Sequence, residues 1–152
     1  MNLFSRIKRI FHRPPDFTIG DRNDPYMLRW YIIPRNKWFN IYLHRVCKSD
    51  DDRALHDHPW ASVSIILAGE YTEISYRGMQ VYGRGSVIYR KAEYSHRLAL
   101  NDRPGQHVWT LFITGRRVRD WGFHCPKGWV PWQEFTSGDI TGNTRGKGCG
   151  ED

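Results

Sequence analysis

In LHDHPWASVSIILAGEYTE, residues 55 to 73, two histidines stand one residue apart, a proline follows them, and a β-branched apolar run leads on to Gly69. Side chains two apart on a strand point the same way. An extended segment would therefore project His56 and His58 from one face, which is how a sheet presents two imidazoles to one metal ion. By itself a His-x-His pair is weak evidence, because strands also carry histidines that are merely exposed or hydrogen-bonded. Further on, GRGSVIYRKAEYSHRLAL places Gly85 at the start of a strand and His96 after a turn, where a third imidazole can come back to the same interior.

Other residues fall near this trio by parity. The alternation from His56 and His58 continues through Trp60, Ser62, Ser64 and Ile66, which brings two small hydroxyls and an indole close to the ligands. On Asn40–Val46, Asn40, Tyr42 and His44 share the face opposite Ile41, Leu43 and Arg45. His44 is the candidate proton carrier, with a hydrogen-bonded structural histidine as the alternative. Tyr42, Trp60, Ser62 and Ser64 are the candidate substrate contacts. Glu70 and Glu73 are carboxylates within reach in sequence, but Gly69 before them is expected to begin a turn that carries them away from the centre. His107 follows a loop and is expected to lie outside the site. His124, Cys125 and Cys47 are donor types without the paired spacing of a four-ligand structural zinc.

The elements that must hold these residues read as strands. After Pro14-Pro15, extended segments are expected at 28–33 and 38–46, then at 62–67, a hairpin over 71–82 turning near Arg77-Gly78, and short strands at 86–89, 95–100 and 107–113. Aromatic residues make up 14 % of the chain and turn residues punctuate short apolar runs, a pattern that favours a β sandwich or barrel over a helical bundle. Its 152 residues suit one domain. The divisions expected are a basic N-terminal segment (1–15) with helical spacing of Leu3, Ile7 and Ile10, a β domain (16–136) with an aromatic cover from Trp121 to Trp132, and a flexible Gly-rich tail (137–152).

These residues resemble the cupin superfamily. Its first motif, G-x5-H-x-H-x3,4-E-x6-G, is matched at His56, His58 and Gly69, and its second, G-x5-P-x-G-x2-H-x3-N, at Gly85 and His96. Both histidine spacings are kept over a core of roughly residues 40 to 114. The departures are Asp50 for the first glycine, Lys91 for the proline, Glu93 for the second glycine, and Leu100, with Asn101 one step on, for the asparagine. Most consequentially, Ser62 takes the glutamate position. The resemblance implies an all-β, jelly-roll cupin barrel and a metal held by His56, His58 and His96 without a carboxylate, as in cysteine-dioxygenase-like cupins. Fe(II) is the ion expected first, with Zn(II), Ni(II) and Mn(II) as alternatives that imidazole donors do not sharply distinguish. Without a carboxylate ligand the centre keeps one more positive charge, which favours an anionic substrate donor. The activity implied is that of an oxidoreductase, a dioxygenase acting on a small anionic thiol or carboxylate. The alternatives are a non-enzymatic binder of an anionic metabolite or nucleotide, with arginines such as Arg45, Arg90 and Arg97 at its rim, and a zinc-dependent isomerase or hydrolase.

The formal net charge of +7 favours anionic partners generally. It leaves nucleic acid open, but no nucleic-acid-binding module is present to predict it. Three widely spaced cysteines argue against a disulfide framework, so free thiols and a cytoplasmic, reducing location are expected. No segment is long and apolar enough to span a membrane. A homodimer is the expected assembly.

Overall fold

The structure, a computed structural model, describes residues 3–10, 12–50, 53–101, 105–139 and 146–150. Along the chain it forms α1 (Leu3–Ile10), β1 (Phe17–Gly20), β2 (Pro25–Tyr31), β3 (Asn40–Val46), β4 (Leu55–His56), β5 (Ser62–Ala68), β6 (Glu70–Ser75), β7 (Gly78–Gly83), β8 (Val87–Arg90), β9 (His96–Ala99), β10 (Val108–Thr114), β11 (Gly122–Cys125), β12 (Gly128–Pro131) and α2 (Trp132–Phe135). Two antiparallel sheets result, in the orders β1-β2-β3-β10-β5-β8 and β12-β11-β4-β9-β6-β7. They face each other as a jelly-roll sandwich.

Alternation decides which side chains meet between the sheets. In β5 the buried positions are Ser62, Ser64 and Ile66, and in β8 they are Ile88 and Arg90. Val46, Ile66, Tyr71, Ile88 and Val108 form the apolar centre of the sandwich. On the outer side of the first sheet, Ile10 at the end of α1 packs with Trp30, Ile32 and Leu43. Lys8 and Arg9 sit in the last turn of α1, where positive charge complements the helix dipole. The chain passes from the first sheet to the second at Gly69, whose φ is +79° and where a Cβ would come within 2.5 Å of the His107 carbonyl oxygen. Only glycine fits that crossing.

The expected strands are all present, with ends shifted by up to three residues. Four more appear: β1, the two-residue β4, and the hairpin β11–β12, which forms within the aromatic segment. That segment does not lie over a sheet as a cover; it extends the second sheet at its edge, beside β4. Trp121 stacks on Trp132, and Phe123 on Phe135 with centroids 3.6 Å apart.

The cysteine expectation is overturned. Cys125 and Cys149 are joined by a disulfide, with their Cα atoms 5.4 Å apart, and only Cys47 is free. Spacing along the chain gave no hint of this pair because α2 and the turn after it reverse the backbone. That reversal returns Gly148, whose N–H donates to the Phe135 carbonyl. The argument from cysteine usage to a reducing compartment therefore fails. Of the expected tail, residues 140–145 and 151–152 lie outside the described residues, whereas 146–150 rest against Phe135 and Arg53. Among the described residues no helix is long and apolar enough to cross a membrane.

Candidate metal centre

The second sheet brings the histidines together by register. His56 on β4 lies directly opposite His96 on β9, and Phe123 on β11 flanks it on the other side. His58 follows the end of β4, held by its own N–H to the Ala92 carbonyl at 3.0 Å and by Arg119, which donates to the His58 carbonyl at 3.3 Å. Between them Asp57 turns the opposite way and is 1 % exposed. It accepts hydrogen bonds from the Gly122 backbone, His124 Nε2 and Trp129 Nε1, and pairs with Arg119 at 2.9 Å. The middle residue of His-Asp-His thus anchors the β11–β12 hairpin, while its neighbours face the interior.

One ligand nitrogen from each of His56, His58 and His96 lies within 4.8 Å of the other two. The Nε2 atoms of His58 and His96 are 3.0 Å apart. Two donors at right angles on one ion, each about 2.1 Å from it, would be about 3.0 Å apart, so this pair already has the spacing of neighbouring ligands. His96 Nδ1 donates to Glu73 Oε2 at 2.7 Å, which fixes the tautomer and leaves Nε2 with its lone pair toward the cluster. Burial comes first among the causes that hold the His58 pKa well below the usual imidazole value, followed by His56, His96 and Arg90. Burial, then His56 and Arg90, lowers His96 as well. Neutral imidazoles are the form a divalent ion requires.

Glu73 is where the sequence expectation fails. Gly69 moves the chain to the other sheet, but it does not carry this side chain away. Tyr71 and Glu73 are the inward positions of β6. Glu73 is buried, pairs with Arg90 through Nε at 2.6 Å and also through Nη2, and accepts from Tyr94 Oη at 3.2 Å. Arg90 in turn donates to Ser64 Oγ at 2.9 Å and Tyr71 Oη at 3.1 Å. Arg90, once expected at the rim, is an interior residue with a carboxylate partner. Glu70 does point outward, to Asn101. The parity that runs inward through Ser62, Ser64 and Ile66 would select Glu70 if carried on along the chain; the crossing at Gly69 resets it, so that Tyr71 and Glu73 face inward instead.

The remaining candidates divide. Tyr42, Ser62 and Ser64 are buried on the inward face of the first sheet, and Trp60 is half-buried. Ser62 Oγ and Trp60 Nε1 are buried without a hydrogen-bond partner. His44 is buried, stacks on Tyr42, leans on Phe112, and accepts from Arg29 Nε at 2.8 Å. Burial, followed by Arg29, holds its pKa well below the usual value. The aromatic segment reaches the centre, with Phe123 and Trp121 centroids 6.0 and 6.4 Å from that of His56. His124 and Cys125 are taken up by Asp57 and the disulfide.

No protein-family profile matches the chain, and no curated protein does. Solved structures do match. A cupin-2 domain protein from Shewanella frigidimarina is 14 % identical with a TM-score of 0.51, over 76 % of this chain and 94 % of its own. A putative mannose-6-phosphate isomerase from Ralstonia eutropha is 17 % identical with a TM-score of 0.54, over 76 % and 96 %. The structure of Fe(II) HppE is 11 % identical with a TM-score of 0.53, over 64 % and 54 %. What passes between chains this far apart in sequence is architecture, and by its sheets, its closing glycine and its histidine cluster this chain has the cupin fold.

Proposed function

We propose that the protein is a metal-binding cupin that uses Fe(II), held by His56, His58 and His96, to oxidise a small anionic molecule with O2. The observation that carries this reading is the 3.0 Å approach of the His58 and His96 Nε2 atoms, with the far nitrogen of His96 tied to a buried carboxylate. Bound Fe(II) would supply open coordination positions for a substrate donor atom and dioxygen. Three neutral imidazoles leave its charge uncompensated, which supports an anionic donor. Glu73 orients His96, and the Arg90 guanidinium orients Glu73. Ser62 and Trp60, each with a buried polar atom unpaired, stand ready to hydrogen-bond a polar substrate group.

The test begins with anaerobic purification, metal quantification, and oxygen uptake with small thiols and carboxylates. One Fe(II) per chain and substrate-dependent oxygen uptake are expected. Zinc with no oxygen uptake would favour the isomerase or hydrolase reading. A protein that takes up no divalent ion would leave only the binding module. His58→Ala is expected to lose tight metal binding while its circular dichroism stays that of the folded β protein, and unchanged metal stoichiometry would remove His58 from the ligand set.

A further inference from the structure

One end of the sandwich gathers cations around exposed aromatic rings. Asn40, the first residue of β3, lies opposite Thr114, the last of β10, and Thr114 lies opposite Ser62, the first of β5. Ser62 in turn lies opposite Arg90, the last of β8. The connections 32–39, 57–61, 91–95 and 115–121 therefore all meet the first sheet at this end. Trp38 and Phe39 are 61 % and 50 % exposed there, and Val118, in the connection that leaves the neighbouring strand, is 63 % exposed. Single exposed apolar side chains are ordinary. Large ones brought together at one end of a fold mark an interaction surface.

Side-chain amides fix the aromatic tip. The Asn36 side-chain oxygen accepts from the backbone N–H of Trp38 at 2.9 Å and of Phe39 at 3.1 Å. Asn40 clasps the same turn, accepting from the Asn36 N–H at 3.0 Å and donating to the Asn36 carbonyl at 2.9 Å. Arg35, Lys37, Lys91, Arg116 and Arg117 are exposed at this end. The exposed acids there are Asp120, paired with Arg117 at 3.0 Å, and Glu93, two residues from Lys91. Among the described residues Arg35, Lys37 and Arg116 have no carboxylate within ion-pair distance. The end is cationic, and its complement is an anionic surface.

Two such ends would repel each other, which argues against a second copy of the chain as the partner here. Lys37 Nζ lies over the Trp38 ring, 5.0 Å from its centroid, and occupies a face on which a nucleobase would stack. An anionic bilayer suits both features, because cations sit at its phosphates and tryptophan rings at its interface. We propose that this end of the molecule docks on an anionic phospholipid surface. Trp38, Phe39 and Val118 enter the headgroup layer, and Arg35, Lys37 and Arg116 pair with lipid phosphates. Nothing in this docking draws on the metal-centre reading above.

The test is flotation of the full chain with vesicles of phosphatidylcholine alone and of phosphatidylcholine with phosphatidylserine, three parts to one. Wild type is expected to bind the mixed vesicles at least about tenfold more tightly than the neutral ones. Lys37→Glu with Arg116→Glu should lose at least about tenfold in affinity for them. Arg22→Glu with Arg84→Glu removes as much charge from connections at the opposite end and should keep most of the binding. Trp38→Ser with Phe39→Ser should weaken binding at unchanged charge. Acyl-brominated lipid should quench wild-type tryptophan fluorescence, and Trp38→Tyr should lose much of that quenching. All these positions are exposed, so thermal melts of the variants are expected to match wild type. Wild type that floats with neither vesicle overturns the proposal, as does an equal loss in the two charge-reversal pairs. Quenching unchanged in Trp38→Tyr overturns entry of the tip. Tight binding to a single-stranded oligonucleotide, without vesicle binding, overturns the proposal in favour of nucleic acid.

Discussion

At the scale of single residues, Glu73 has two roles that can be separated by substitution. Glu73→Gln keeps the shape but removes the charge from His96, and metal affinity should fall by about 10–100-fold in a competition titration. Glu73→Ala leaves Arg90 buried and unpaired, a loss of about 3–5 kcal/mol in chemical denaturation. The double variant Glu73→Leu, Arg90→Met should regain much of that stability without regaining metal affinity. Protonation gives a second prediction, for metal-free protein. The folded pKa values of His44 and His58 lie below the ordinary 6.5. The unfolded chain therefore takes up protons that the folded chain refuses, so the contribution to stability is complete above pH 6.5 and is lost as pH falls from there toward the depressed values. The slope should approach about 1.4 kcal/mol per pH unit for each group. Denaturation midpoints at pH 7.5 and 5.5 check it, and His44→Phe should flatten the dependence. The histidine trio was legible as a pattern of spacings, and Glu73 was not. A carboxylate's position depends on which sheet its strand joins, and that is set by the crossing at Gly69.

At the scale of elements, the β11–β12 hairpin depends on two ties. One is Asp57, whose oxygens receive the Gly122 backbone, His124 and Trp129. Asp57→Ala strands those donors and should cost at least about 2 kcal/mol. Because Asp57 sits between His56 and His58, metal affinity should fall with it, and a thermal melt paired with metal titration reads both. The other tie is the disulfide, which spans 24 residues. On loop entropy its reduction should cost about 3 kcal/mol. Melting with and without reductant measures this, and Cys149→Ser should reproduce the reduced value in either buffer. The hairpin was missed as strands because Trp121, Phe123, Trp129 and Trp132 offer no polar alternation. Its pairing comes from the neighbouring strand β4, which is itself only two residues long.

At the scale of the molecule, β7 and β8 are the outermost strands of their sheets, on the same side of the sandwich. Met79 and Val81 are exposed on the outer face of β7, and Val87 and Tyr89 on the opposite outer face of β8, Met79 by 75 %. Edge strands with unpaired backbone and exposed apolar side chains suit self-association, and the homodimer expected from the sequence remains our proposal for them. Light scattering should give twice the chain mass, with Val81→Lys shifting it toward one.

The sequence by itself determined what depends on local period: a β sandwich, the spacing of His56, His58 and His96, and the inward parity of Ser62 and Ser64. Each follows from side chains alternating along a strand. Only the tertiary structure decided which charges share the interior. Glu73 beside His96, Arg29 beside His44, Asp57 beneath the aromatic hairpin and the Cys125–Cys149 bond all join residues on different strands or distant segments. Their meeting is set by sheet order and chain reversal, and neither leaves a periodic trace in the residues that meet.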